Sequence, residues 1–353
     1  MKNTGWIAIA LAAGSVLAQQ PRVENARAET RPVSGGLDAT LRAILSGQTA
    51  PAWVGYAEPM IPGSRQMCCW NDDQRGCFLE PHTGSQAVSA SPNQTIKLEG
   101  PTHVVVLYRV ENHQVEKIRS VTTECELDAG GLQFIWLTGA TPAESVHYLL
   151  SITQQAAAGN TREQSQRVKG AVSAIALHAD PSADQALEQL AGPAESDQVR
   201  RQAIFWLGNA RGQRGFEVVS RILREDPNDK IREHAIFALT QSQEPEAMNA
   251  VVRAAHDDTS PRVRGQALFW LAQKAAQKTA QAAISDAIAN DPETEVKTRA
   301  VFALTQMPAG EGVPLLIQIT RNNQNAAVRK QAMFWLGQSK DPRALAYIEE
   351  VLK

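Results

Sequence analysis

Neither sign of charge is in excess in this chain: 35 Lys and Arg against 37 Asp and Glu leave its 353 residues at a formal −2. Without a basic surplus, wholesale nucleic-acid binding has no support. The apolar run Trp6–Ala18 is too short to span a bilayer. Catalytic signatures are also missing. The seven histidines, His82, His103, His113, His147, His178, His234 and His256, form no HExxH and no pair at metal-ligand spacing. There is no GxSxG, no Walker loop and no GxGxxG after a strand. The expectation is a protein that is not an enzyme and takes no cofactor or metal. Cysteine is confined to Cys68, Cys69, Cys77 and Cys125, with none in the remaining sequence.

What is present begins with an export signal. Lys2 precedes the apolar run, and Val16 and Ala18 supply small residues before Gln19, which reads as a secretory signal peptide over residues 1–18. No Cys follows the cleavage point, so a lipid anchor is not expected, and the mature chain is expected to be periplasmic or extracellular. An even number of cysteines in an exported segment reads as two disulfides. Since neighbouring cysteines seldom pair, two connectivities remain: Cys69 with Cys77 and Cys68 with Cys125, or the exchanged pairing. The CxxC doublets of a zinc ribbon or a thiol-redox site are absent.

Residues 19–36 are polar and read as a flexible leader. Residues 37–140 read as a small β-rich domain stapled by the four cysteines. It has a helix at Leu37–Leu45 and extended segments at Trp53–Tyr56, Gln66–Trp70, Cys77–Glu80, Thr95–Leu98, His103–Val110, Val115–Glu126 and Leu132–Leu137. Thr141-Pro142-Ala143-Glu144 then combines an N-cap, a Pro at the first helical position and a capping-box Glu. From 141 to 353 the pattern is helical. The fold class expected is α+β: a disulfide-stapled β-rich domain followed by an all-α solenoid.

The solenoid is written in a decapeptide that occurs five times: VRRQAIFWLG from Val199, IREHAIFALT from Ile231, VRGQALFWLA from Val263, VKTRAVFALT from Val296 and VRKQAMFWLG from Val328. The steps of 32, 32, 33 and 32 residues define a repeat architecture whose units bury their apolar faces against each other. Ser196, Asn228, Ser260, Glu293 and Asn325 stand three residues before each opening Val or Ile, and four of these are good N-cap types. Helices at Ser145–Ala157 and Thr161–His178 read as a degenerate first unit, extending to about 192.

Asp226-Pro227 and Asp291-Pro292, followed by Val/Ile-Arg/Lys, an Ala four residues on and a Leu eight residues on, resemble the consensus of HEAT repeats. The likeness is to the short bacterial branch that includes phycobilin-lyase-type repeats, over about residues 160–353. It implies a solenoid, and as function a scaffold or adaptor. Lyase activity needs an intracellular phycobiliprotein, which the signal peptide opposes.

With the opening Val as position zero and about 100° per residue, positions 0, 4 and 8 fall near 0°, 40° and 80°, a buried stripe. Position 6 falls near 240°, on the far side. It is polar in ordinary HEAT units but here is Phe205, Phe237, Phe269, Phe302 and Phe334. Position 3 holds Gln202, His234, Gln266, Arg299 and Gln331; in related arrays this side of the helix lines the concave face. Two readings stay open. One is an aromatic ladder gripping a protein or extended peptide, worth about 2.5 kcal/mol per ring for about 100 Å² buried. The other is rings leaning into the grooves between repeats as packing. Carbohydrate binding is a weaker third possibility.

Position 7 alternates Trp206, Ala238, Trp270, Ala303, Trp335, large against small in successive layers, and is expected to be structural. The basic residue at position 1 is expected to bridge repeats to Asp226, Asp258 or Asp291. The leading expectation is an exported, non-enzymatic scaffold for a protein or peptide partner. The rival is a redox-active or enzymatic N-terminal domain, with the solenoid recruiting its substrate.

Overall fold

The computed structural model describes residues 20–63, 67–68, 76–81, 100–156 and 161–353. The signal segment, Cys69 and the expected strands at 66–70 and 95–98 lie wholly or largely outside these residues. The chain divides into two compact units, Met1–Thr141 and Pro142–Lys353.

In the first unit, β1 (Val23–Glu24), β2 (Arg27–Pro32), α1 (Leu37–Gly47), β3 (Ala52–Pro59), β4 (Gly76–Phe78), β5 (His103–Glu111), β6 (Gln114–Thr122), β7 (Glu126–Asp128) and β8 (Gln133–Thr138) follow in order. The larger sheet runs β2-β8-β3-β5-β6 and the smaller runs β1-β7-β4. β8 lies parallel to both β2 and β3, while β3, β5 and β6 are antiparallel. The central strands read as nearly unbroken apolar runs because both of their faces are buried. Trp53, Val105, Leu107, Phe134 and Trp136 form one face of the core together with Cys77, Leu79, Cys125 and Leu127.

The expected flexible leader is corrected here. Arg27–Pro32 is an edge strand in register with Gln133–Thr138, and Val23–Glu24 pairs with β7. An edge strand needs backbone bonds on one side only, so RAETRP can be charged and mostly exposed and still pair, with its charges and Pro32 blunting the edge. A disulfide joins Cys68 to Cys125, one of the four possible bonds in the two connectivities left open by the sequence. Cys77 is disulfide-bonded as well.

The second unit opens with α2 (Pro142–Ala156), α3 (Arg162–Leu177) and α4 (Pro181–Ala191). The decapeptides then lie on α5 (Asp197–Ala210), α7 (Asp229–Leu239), α9 (Pro261–Lys274), α11 (Thr294–Thr305) and α13 (Ala326–Gln338). Their partners are α6 (Gly212–Glu225), α8 (Ala247–Asp257), α10 (Gln277–Asn290), α12 (Val313–Asn322) and α14 (Pro342–Leu352). Helix α3 packs on α5 as the decapeptide helices pack on each other, and α4 packs beside it as a partner helix. The first unit of the array is therefore α3 with α4, and α2 is an added helix, which differs from the pairing of the first two helices expected from sequence.

Ser196, Asn228 and Asn325 cap their helices by accepting backbone N–H groups, which fixes the start of each repeated helix. Ser260 makes no such bond. Its hydroxyl donates to Asp229 of the previous repeat at 3.5 Å, and Pro261 behind it has no N–H to offer.

Candidate functional site

The buried stripe is as the periodicity requires: the residues at positions 0, 4 and 8 of all five helices are at most 3% exposed. Consecutive repeated helices pack directly on each other. Consecutive partner helices are parted by grooves of about 490 Å³ between α6 and α8, 550 Å³ between α8 and α10, and 230 Å³ between α10 and α12. The repeated helices are thus the tighter, inner side of the solenoid.

Buried ion pairs hold adjacent repeats in register. Arg232 forms two 2.9 Å bonds to Asp258, and Arg264 bonds Asp291 at 2.7 and 2.9 Å; Arg200 pairs with Asp226 through one nitrogen, while its Nε–H donates to the Ala191 carbonyl at 3.1 Å. Three of the five basic residues at position 1 thus reach the Asp that opens the next repeat, while Lys297 donates to the Ala289 carbonyl and Arg329 to the Asn323 and Gln324 carbonyls. The same Asp caps its own turn through the N–H two residues on, as in Asp258 with Ser260 at 2.8 Å. Hydrogen bonding to Asp291 raises the Arg264 pKa against the pull of burial. Burial opposes the charge on Asp291, but the Arg264 guanidinium and the Glu293 amide overcome it and hold its carboxyl below the usual range. These arginines and aspartates neutralise each other inside the protein and offer no basic track to a phosphate backbone.

On the inner side the aromatic side chains make one unbroken run. Trp206 meets Phe205 edge-on at 5.4 Å between ring centroids, and Phe205 stacks on Phe237 at 5.9 Å. Phe237 lies 5.2 Å from Trp270, which meets Phe269 edge-on at 5.3 Å. Phe269 stacks on Phe302 at 6.2 Å, Phe302 lies 5.1 Å from Trp335, and Trp335 meets Phe334 at 5.0 Å. These separations are those of favourable aromatic pairs. The rings are half-buried, except Phe334, which is 53% exposed. The rings therefore pack against each other between repeats and remain part-exposed.

The alternation at position 7 makes the run possible. Trp270 leans over Phe237 and Trp335 over Phe302, in each case the ring beside a fully buried alanine, Ala238 or Ala303. The backbones come very close here. A Cβ on Gly208 would lie 2.6 Å from the Ala238 carbonyl oxygen, so the glycine is required by space.

Each ring has a polar residue one turn before it: an amide, an imidazole or a guanidinium. Gln202, Gln266 and Gln331 form no side-chain hydrogen bond among the described residues. Between them, the His234 Nε2–H donates to the Arg201 carbonyl at 2.8 Å, and burial pushes this imidazole below its ordinary pKa. Arg299 pairs with Glu295 at 2.8 Å. Its stem runs over Gly265, where a Cβ would lie 2.4 Å from the Arg299 Cδ.

A second amide row was missed by sequence reasoning. Position 10, one residue beyond the decapeptide, is Asn209, Gln241, Gln273, Gln306 and Gln338. At near 280° it falls between positions 6 and 3, so each ring is flanked one turn on either side. Gln241 and Gln306 donate to Thr240 and Thr305 at 3.0 and 2.9 Å, and the other three are exposed. The signal was an uninterrupted Asn/Gln column.

One arrangement resembles part of a catalytic dyad. Ser145 Oγ lies 2.8 Å from His178 Nε2, whose Nδ1–H donates to the Ala174 carbonyl at 2.7 Å. Both residues are 0% exposed, and burial pushes His178 down to about 4. A substrate has no access to this pair, and its role is to join α2 to the end of α3. Among the described residues, no group of three or more His, Cys, Asp or Glu is placed to hold a metal ion, and no helix is long and apolar enough to cross a membrane.

Comparison with solved structures finds human deoxyhypusine hydroxylase in complex with glycerol at 15% identity, covering 59% of this chain and 90% of that one, with a TM-score of 0.25. The complex of CpcE and CpcF of phycocyanin lyase from Nostoc sp. PCC7120 is similar at 21% identity, over 45% of this chain and 100% of that one, with a TM-score of 0.32. Kap121p is similar at 14% identity, over 59% of this chain and 25% of that one, with a TM-score of 0.31. Comparison with curated proteins gives no match. The family model for HEAT repeats matches residues 183–272 and 281–353, spanning the five decapeptide units and the helix before them. Over these residues the chain is built of HEAT repeats.

Proposed function

We propose that this protein is an exported, non-enzymatic scaffold that holds a protein or extended peptide along the inner face of its HEAT solenoid. HEAT solenoids are protein-binding scaffolds as a class, since their stacked units make long continuous surfaces. The observation that carries the choice of face is the aromatic run from Trp206 to Phe334, part-exposed throughout and bordered by amides, of which Gln202, Gln266 and Gln331 form no side-chain hydrogen bond among the described residues. An apolar strip of this length on a soluble array is a contact surface. Phe205, Phe237, Phe269, Phe302 and Phe334 form its centre, and Gln202, His234, Gln266, Arg299 and Gln331 form one border.

A photo-crosslinking residue at Gln273 is expected to capture a discrete partner, and one at Glu217, exposed on the outer helix α6, is not. Equal capture at both sites would sink the assignment of the face.

The disulfide between Cys68 and Cys125 supports export, because such bonds persist in oxidising compartments. The expected result is a native N-terminus near Gln19 in an envelope or secreted fraction; an intact Met1 in the cytosol would overturn this part. The rival redox reading is not favoured. Cys125 and Cys77 are buried, and both are disulfide-bonded.

A further inference from the structure

The inner face has a charge that the chain as a whole does not have. Positions −1, 2, 3, 6 and 10 of each repeat fall between about 200° and 300°, opposite the buried stripe, and so make up this face. Its twenty-five residues include two acids, Glu233 and Glu295. Both are taken: Glu233 pairs with Arg262 of the next repeat, and Glu295 with Arg299. Burial opposes a charge on His234, which bonds the Arg201 carbonyl. The cations that remain are Arg201, Lys230 and Lys330, and they form no side-chain hydrogen bond or ion pair among the described residues. In a chain of formal charge −2, the inner face thus carries three spare positive charges and no spare negative one.

These charges stand at the two ends of the aromatic run. Arg201 and Lys230 belong to α5 and α7, and Lys330 to α13. On this face α9 and α11 have their cations paired and offer rings and amides. Five helices spaced by about 8–10 Å make the run about 32–40 Å long, which an extended chain covers in about ten to twelve residues. Two kinds of anionic chain match a positive face, and charge spacing separates them. A nucleic-acid strand carries a phosphate about every 3.4 Å, so three cations leave most of its phosphates unmet. A peptide has carboxylates only where its sequence places Asp or Glu, and apolar side chains elsewhere to meet phenylalanine rings. Its peptide groups both donate and accept, as do the unbonded amides of Gln202, Gln266 and Gln331.

Resting on the binding reading above, we propose that the inner face holds an acidic segment of a partner protein, with carboxylates toward both ends and apolar side chains between them. Arg201 and Lys230 receive the carboxylates at one end and Lys330 at the other, and the rings take the apolar middle. Attraction between a positive face and a negative segment also speeds and orients their encounter.

The test uses the full chain and a phage-displayed library of random twelve-residue peptides. Selected peptides are expected to hold at least about three times as many Asp and Glu as Lys and Arg. The most enriched peptide is then labelled and its binding measured by fluorescence anisotropy. Replacing its acids by Asn and Gln is expected to weaken binding by about tenfold, the combined effect of several exposed ion pairs, and about 1 M salt should act alike. The triple variant Arg201→Gln, Lys230→Gln, Lys330→Gln, with unchanged melting temperature, is expected to lose the same factor. Arg253→Gln with Lys278→Gln, exposed on the outer helices α8 and α10, is expected to lose nothing. Selected peptides without an acidic excess, or a triple variant that binds as the parent does, overturn the proposal. A twelve-nucleotide DNA strand that binds more tightly than the peptide also overturns it. If the Gln273 crosslink to the natural partner forms while the acidic peptide neither binds nor competes, the acidic assignment falls and the binding face stands. If crosslink and peptide binding are both absent, both fall.

Discussion

In the first unit the chain must find partners far away in sequence. Arg27 pairs with Gln133, Ala52 with both Val110 and Gln133, and Cys68 bonds Cys125. In the second unit the bonds between neighbours are local and alike: Arg232 to Asp258 and Arg264 to Asp291 span 26 and 27 residues, about one repeat. Long-range pairing makes the sheet unit an all-or-none structure, since removing one strand undoes its neighbours. Nearest-neighbour packing makes the solenoid a sum of similar steps, so damage stays near its origin. The two halves should therefore fail in different ways.

The largest expected effect is in the solenoid. Arg264→Leu leaves Asp291 buried without its partner and is expected to cost about 3–5 kcal/mol. Hydrogen exchange should show the loss centred on α9 and α11, with the sheet unit unchanged. Equal deprotection across all the helices would contradict the local picture.

Next is the sheet unit. Cys125→Ala opens a loop of 57 residues' separation, worth about 4 kcal/mol in the chain-entropy account. Protection should fall in β3, β5 and β8 together, and thermal melting of the helical signal should stay in place.

Acid sharpens the comparison at the start of the array. His178 is held at about 4 by burial, against an ordinary value of 6.5. Between these values the unfolded chain binds more protons than the folded one. Stability therefore falls as the pH drops from about 6.5 to about 4, by up to about 3 kcal/mol. Denaturant titrations across this window should show the slope, and His178→Gln should flatten it.

The smallest effect is expected on the amide border. Gln273→Ala is an exposed substitution and should change stability by less than about 0.5 kcal/mol. A large drop in melting temperature would mean that the amide row is structural and not a contact surface.

Much of the solenoid was legible in the sequence because the same local problem is solved five times. Val199, Ala203 and Leu207 declare a buried stripe, and Asn228 or Asn325 declares a helix start. The phenylalanine column was equally plain, but its exposure was not. How far Phe237 leans toward Phe205 depends on the spacing of two helices, which no single repeat encodes. The amide column at position 10 lay one residue outside the obvious match and was lost for that reason. In the sheet unit, β2 was hidden because a strand bonded along one edge needs no apolar pattern. The true first pair, α3 with α4, was obscured because α3 has Ser173, 32 residues before Phe205, where the later helices have phenylalanine.

The alternation of tryptophan and alanine has a consequence for how such an array is lengthened or shortened. Trp270 leans over Phe237 because Ala238 beside it is small, and Trp335 has the same relation to Phe302 and Ala303. Excising the unit that carries Phe237 would bring Trp270 over Phe205, where Trp206 already stands. Two indoles would then compete for one space, and the backbone beside Gly208 would face a bulky side chain in place of Ala238. Duplication or deletion of a single unit breaks this parity, and duplication or deletion of two preserves it. The heritable module of this solenoid is a pair of repeats.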